Sequence, residues 1–180
     1  MLNGIRIIEI EGLGPTPFAG MLFSDLGAEV TVIHRKEKSD FSNHKNILDR
    51  GKRSIELNLK DPDDLVVAKK LIIRSDAVIE GFRPGVMEKL GLGPNEFSEN
   101  PSLVFGRMTG WGQDGPKSKQ AGHDLNYIGL SGALWFASHP NTPPFTPPAL
   151  VGDVGGGALY LVIGVLSAIL NAKESGKGSV

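Results

Sequence analysis

The sequence predicts an α/β domain built on a parallel sheet flanked by helices, of the doubly wound type. Residues 5–34 carry strand, helix and strand patterns in succession, the length of one βαβ unit of about thirty residues. Short β-branched runs and helical patterns keep alternating along the rest of the chain. Several strand ends open into basic or glycine-rich turns, at the edge where open α/β sheets bind ligands. At 180 residues the chain is long enough for a single domain with its own core, taken as 1–180.

The first strand is Ile5-Arg-Ile-Ile-Glu-Ile10, closed by the tight turn Glu11-Gly-Leu-Gly14. Phe18, Met21, Leu22 and Leu26 follow at helical spacing, with Gly27 as the stop, and Glu29–His34 is the second strand. Residues 36–53 are polar and read as a long surface loop, and Ser54–Leu59 alternates with period two as a half-buried strand. Asp61 is an N-cap, with Pro62 at the first helical position and Asp63 and Asp64 in the first turn of a helix running to Arg74. Ala77–Glu80 and Leu103–Met108 are further strands, and Pro84 and Pro94 each open a short helix between them. The proline-rich stretch His139–Pro148 reads as an extended arm, and His34, His44 and His139 as loop residues.

Composition removes several functions. A net charge of −1 argues against a general nucleic-acid binder, and the absence of cysteine excludes disulfides, cysteine metal sites and thiol nucleophiles. No metal site is expected. The amino terminus runs into a strand pattern without a signal peptide, so a cytoplasmic location is expected, an organellar one remaining open. Val154 to Leu170 is seventeen residues without a charge, near the length of a membrane span. Three glycines open it, Asp153 precedes it, and no second span pairs with it, so it reads as a helix buried in a large core. The turn Gly12-Leu-Gly14 begins like a dinucleotide fingerprint, but Pro17 holds the place of the third glycine. His34-Arg-Lys36 stands where an acid would hold a ribose. Arg35, Lys60 and Arg83, each after a strand, suit a ligand bearing phosphates, although each alone is an ordinary loop cation.

Two motifs carry chemistry, Gln120-Ala-Gly-His-Asp-Leu-Asn-Tyr127 and Val151-Gly-Asp-Val-Gly-Gly-Gly157. Each sets one proton carrier, His123 or Asp153, among glycines just before a helical run. Taken alone, a histidine or aspartate there is most often a cap or a surface residue. Together they could face one carbon from opposite sides. Histidine titrates near about 6.5 and so serves in either direction. A carboxylate sharing a proton with it must be lifted from its usual range, which an apolar wall favours and a helix start opposes.

The chain resembles the family III CoA-transferase superfamily nearly throughout. The resemblance rests on Ile8-Glu-Ile-Glu-Gly-Leu-Gly-Pro-Thr-Pro-Phe-Ala-Gly20, Leu26-Gly-Ala-Glu-Val30, Gly51-Lys-Arg-Ser54 and Phe82-Arg-Pro-Gly85. Ala121-Gly-His-Asp-Leu-Asn-Tyr127 resembles its α-methylacyl-CoA racemase branch. The resemblance implies a Rossmann-like CoA-binding domain, the large-domain portion of that fold, and inversion of the carbon beside a CoA thioester. It implies His123 and Asp153 as the acid/base pair. It further implies Arg35, Leu57, Asn58, Leu59, Lys60 and Arg83, with Gly122, Asp124, Leu125, Asn126 and Tyr127, as residues holding CoA. CoA would arrive as part of the acyl-CoA substrate, with no separate cofactor and no nucleic-acid partner, and the family forms intertwined homodimers.

Two other outcomes follow from the same resemblance. The transferases place a nucleophilic carboxylate in a similar Gly-Asp setting, so Asp153 could attack a thioester, and His123 is what separates the branches. Family members are also about twice as long. A carboxylate expected to partner His123 lies in their other half, so the chain reads as truncated, with a site that is incomplete or only binds CoA.

Overall fold

The β-branched runs pair into one parallel five-stranded sheet in the order β3-β2-β1-β4-β5. The computed structural model describes residues 1–36, 46–147 and 150–180. The strands are β1 (Arg6–Ile10), β2 (Glu29–His34), β3 (Arg53–Glu56), β4 (Ala77–Glu80) and β5 (Val104–Arg107). Alternate residues along each strand feed two cores, because the sheet is covered on both faces. Ile7, Val30, Ala77, Ile79 and Val104 pack under α1 (Pro15–Asp25) and α5 (Leu159–Ser175). Ile8, Ile10, Val78 and Phe105 pack under α2 (Pro62–Ile72) and α3 (Val86–Lys89). The remaining helix, α4 (Asp124–Leu130), lies beyond the carboxyl end of the sheet.

The chain order reverses between β1 and β4. The crevice beyond the carboxyl ends of those two strands is therefore the switch point where such sheets take ligands. Local signals place most elements where the sequence puts them. Asp61 caps α2, its carboxylate accepting the N–H groups of Asp63 and Asp64 at 3.0 and 3.2 Å, with Pro62 beginning the helix. Gly27, at φ +96°, ends the turn after α1.

The structure corrects four readings. β3 ends at Glu56, where a period-two pattern predicts strand to Leu59. Asn58 turns the chain by accepting the Lys60 N–H at 3.1 Å and giving its own N–H to Asp64 at 2.7 Å, and the apolar alternation survives because Leu57 and Leu59 pack onto the α2 side. The helical run after Asp153 begins earlier, as a π-helical turn over Val151–Ala158, and continues as α5. That helix is long and apolar enough to span a membrane. It is not core all round: Val162, Val165, Ile169 and Ala172 form one buried stripe, while Tyr160, Ile163 and Leu170 are exposed. Nothing among the described residues covers that outer stripe.

The fourth correction concerns Lys52, placed by its polar neighbours on a surface loop. Its side chain is only 1% exposed and its ammonium reaches the Glu9 carboxylate at 2.7 Å and the Pro17 carbonyl at 3.0 Å. Glu9 interrupts β1 at a position buried on both sides, so it needs a partner from elsewhere. Gly20 makes the room, since a Cβ there would sit 1.8 Å from Glu9 Oε2. Of the rest of the loop reading, Ile47–Asp49 form a short helical turn and Arg53 already belongs to β3, while residues 37–45, including His44, lie outside the described residues, as does the Pro148 end of the arm.

Candidate active site

A cleft of about 580 Å³ opens at the switch point, walled by the turns after β1, β4 and β5, by α4 and by the π-helical turn. Each wall has a local cause. After β1, Gly14 adopts φ +70°, ψ −118°, which swings the chain into α1. After β4, the Glu80 carboxylate accepts the Phe82 N–H at 2.6 Å and fixes the course of Phe82 and Arg83. Burial pushes Glu80 up to about 7, opposed by that N–H and by Arg107 at 3.6 Å. After β5, the Tyr127 ring packs edge-on against Trp111, centroids 5.0 Å apart, and its hydroxyl donates to the Gly122 carbonyl. A side chain at Gly110 would overlap that hydroxyl, so the glycine is what lets the loop close on α4. Burial first, and then the Asp153 charge, raise the Tyr127 hydroxyl above its ordinary range, which keeps it a donor.

His123 is the residue before α4, in extended backbone at φ −140°. Its N–H donates to Asn126 Oδ1 at 2.9 Å and its carbonyl accepts the Asn126 N–H at 2.8 Å. The backbone and Asn126 thus make the cap, leaving the imidazole, 67% exposed, to the cleft.

Asp153 is the third residue of the π-helical turn, within the helix instead of before it. The glycine triplet has a cause in that geometry. In a π-turn each residue approaches the carbonyl five positions earlier. Added Cβ atoms at Gly155, Gly156 and Gly157 would lie 2.9, 3.1 and 3.3 Å from the carbonyl oxygens of Leu150, Val151 and Gly152. The Asp153 side chain is 12% exposed and rests against Gly14. Its Oδ2 lies 3.3 Å from His123 Nδ1, so the two proton carriers of the sequence, thirty residues apart, meet in the cleft wall.

The other predicted residues divide. Arg83, Gly122 and Tyr127 line the cleft with His123 and Asp153. Arg35, Leu57, Asn58, Leu59 and Lys60 sit outside it, at the carboxyl ends of β2 and β3 on the same sheet edge. There Arg35 is 65% exposed at 4.0 Å from Glu11, and the Leu57 side chain is in the core. Leu125 is exposed, Asn126 serves the α4 cap, and Asp124 is buried. Among the described residues no group of three or more His, Asp or Glu gathers in a way that could hold a metal ion.

Two groups that shape the site escape a sequence reading, Glu80 and Gly14, and a third, Asp124, is named there only as a residue holding CoA, whereas its carboxylate accepts the Gly152 and Asp153 N–H groups. Glu80 had a signal, an acid closing the apolar run Ala77-Val-Ile at a strand end. Gly14 and Asp124 act through approaches between distant segments, which no local pattern records.

Fold and cleft together define an α/β domain of one family: the chain belongs to CoA-transferase family III, whose sequence pattern matches residues 2–180. It is 42% identical to the α-methylacyl-CoA racemase of Mus musculus over 181 residues, covering 100% of this chain and 46% of that protein. It is 31% identical to the succinate–glutarate CoA-transferase of Agrobacterium fabrum over 196 residues, 98% of this chain and 49% of that protein. The crystal structure of a CaiB/BaiF family protein from Brucella suis superposes with a TM-score of 0.91 at 27% identity, over 99% of this chain and 52% of that one. The chain thus spans about half the length of the curated relatives it matches.

Proposed function

We propose that the chain provides the proton-transfer half-site of an α-methylacyl-CoA racemase, in which His123 and Asp153 exchange the α-proton of a 2-methylacyl-CoA through an enolate. The observation that carries this reading is the imidazole and the carboxylate meeting at 3.3 Å in the cleft wall. A simple transferase nucleophile requires only the aspartate, whereas a histidine held beside it suits a reaction that takes a proton on one face and returns it on the other. The identity with the mouse racemase supports the same branch.

In this reading the thioester enters at the switch point. Arg83, Gly122 and Tyr127 hold the pantetheine end inside the cleft, and Arg35 with the Leu57–Lys60 turn takes the phosphates along the neighbouring strand ends. CoA comes and goes as part of the substrate. The π-helical turn and the closed 110–122 loop shape one wall, so that the reacting carbon meets an aspartate held in place.

The test is deuterium entry at the α-position of a 2-methylacyl-CoA in D₂O. Exchange by the chain that is abolished in both His123→Ala and Asp153→Asn is the expected result. CoA transfer to an added free acid, lost in Asp153→Asn and kept in His123→Ala, would replace the reading by that of a transferase. Binding of acyl-CoA without exchange would show that this half of the family's length binds the substrate and does not turn it over.

A further inference from the structure

The geometry points to Asp124 as the residue that positions His123 against Asp153, an inference that rests on the reading just proposed. Asp124 directly follows His123 at the start of α4. Its Oδ2 accepts the backbone N–H of Gly152 and that of Asp153, both at 2.7 Å. One carboxylate oxygen therefore ties the residue after the histidine to the amide of the aspartate itself. These are charge-assisted bonds, shorter and stronger than ordinary amide pairs.

The joint is tight as well as polar. A Cβ on Gly152 would stand 3.1 Å from the Asp124 carbonyl oxygen and 3.2 Å from its Cα and Cγ, so the approach requires glycine. Asp124 is 4% exposed and is not among the residues lining the cleft. Its second oxygen, Oδ1, is buried without a hydrogen-bond partner among the described residues. Leaving a carboxylate oxygen buried and unpaired is costly. The two short bonds that Oδ2 accepts offset that cost.

The consequence is a division of labour. His123 and Asp153 face the substrate, and Asp124 sets their separation from behind. Displacing a catalytic group by about 1 Å can cost on the order of 100-fold in rate.

The test compares Asp124→Ala with Asp124→Asn in the full 180-residue chain. α-Deuteration of 2-methylacyl-CoA is followed together with NMR of the His123 ring, assigned through His123→Ala. In Asp124→Ala the expected exchange kcat falls roughly 100-fold while KM stays within about twofold. The His123 ring signals should move toward those of Asp153→Asn. Asparagine keeps an acceptor for both amides, so Asp124→Asn should recover most of the rate and the ring signals. A fall in stability with kcat and ring signals unchanged overturns the inference, and so does an asparagine variant no better than alanine.

Should the unmodified chain show no exchange, it is the racemase reading that fails, and the NMR arm still decides on Asp124. The Gly152 and Asp153 amide protons should be shifted downfield by the carboxylate and lose that shift in Asp124→Ala. Should Asp124→Ala not fold, Gly152→Ala wedges the same joint with the carboxylate intact. It should displace the ring signals in the same direction, and unchanged signals overturn the inference.

Discussion

Replacing Lys52 by methionine is expected to leave stability nearly unchanged at pH 6 and to reduce it progressively above pH 7. The Glu9 and Lys52 side chains are 2% and 1% exposed and 2.7 Å apart. Burial pushes Glu9 from 4.5 to about 7, against the pull of Lys52. A carboxyl whose folded value lies above its unfolded one binds its proton more tightly when folded. Its contribution is full below about 4.5 and is lost as the pH rises through about 7. Above that point the loss stops in the native protein, because Lys52 holds the carboxylate.

With methionine at 52 no ammonium remains beside Glu9, its folded value rises further, and the loss continues at about 1.4 kcal/mol per pH unit. Between pH 7 and pH 9 the difference between the two proteins grows by on the order of 2–3 kcal/mol. The hydrogen bond from Lys52 to the Pro17 carbonyl is worth roughly 1 kcal/mol at every pH, and is offset by no longer burying an ammonium. Urea unfolding of both proteins at pH 6, 7.5 and 9 measures the difference directly. A destabilisation of constant size across that range would refute the reasoning, since it would mean that the pair is ionised throughout.

Glu80 gives a second pH signature of the same sign. Its folded value of about 7 against 4.5 makes stability fall by about 3 kcal/mol as the pH rises from 4.5 to 7, so urea unfolding of Glu80→Gln should follow a pH slope shallower by that amount. An unchanged slope counts against a buried, proton-binding Glu80. Gly14→Ala should cost about 1–3 kcal/mol, because φ +70° with ψ −118° is a backbone that L side chains rarely adopt. Its new Cβ would lie 3.3 Å from Asp153 Oδ2, so the His123 ring signals should shift as well, and an unmoved NMR spectrum would show that the turn yields instead of the carboxylate.

The sheet was legible because its causes are local. Pairs of flanking signals, such as Asp61 with Pro62 before α2, or Glu29–His34 after Gly27, act over a few residues and survive into the structure. His123 and Asp153 stand out in the sequence for a different reason, their residue types within motifs that resemble those of a family. What stayed hidden depends on contacts between remote segments. Lys52 reads as surface because its neighbours are polar, yet its partner is forty-three positions away on β1. The sequence does hold a clue in Glu9, an acid inside an otherwise apolar strand that must be paired to be buried. No comparable clue marks the joint made by Asp124, which the family resemblance offers only as a residue holding CoA and whose carboxylate instead accepts the Gly152 N–H. The π-turn was also hidden, since Gly155-Gly-Gly157 reads as a breaker before a helix and becomes intelligible only through carbonyls five residues back.

The 3.3 Å contact between His123 and Asp153 has a mechanical meaning. A carbon worked on from two faces must lie about 3–3.5 Å from each base, so the two groups have to stand on the order of 6–7 Å apart when the α-carbon is between them. On the racemase proposal, the observed pair is a resting arrangement that substrate would open. The two partners are not equally free to move. Asp153 sits on a rigid turn, its side chain 12% exposed, its amide held by Asp124 and its carboxylate against Gly14. The His123 imidazole is 67% exposed and its backbone is fixed by Asn126, which leaves rotation of the ring as the inexpensive motion. On that proposal the aspartate would be the stationary member of the couple and the histidine the one that swings. On the racemase proposal, an incoming thioester would break the single 3.3 Å contact between the two side chains and leave intact the buried joint between Asp124 and the Gly152 and Asp153 amides.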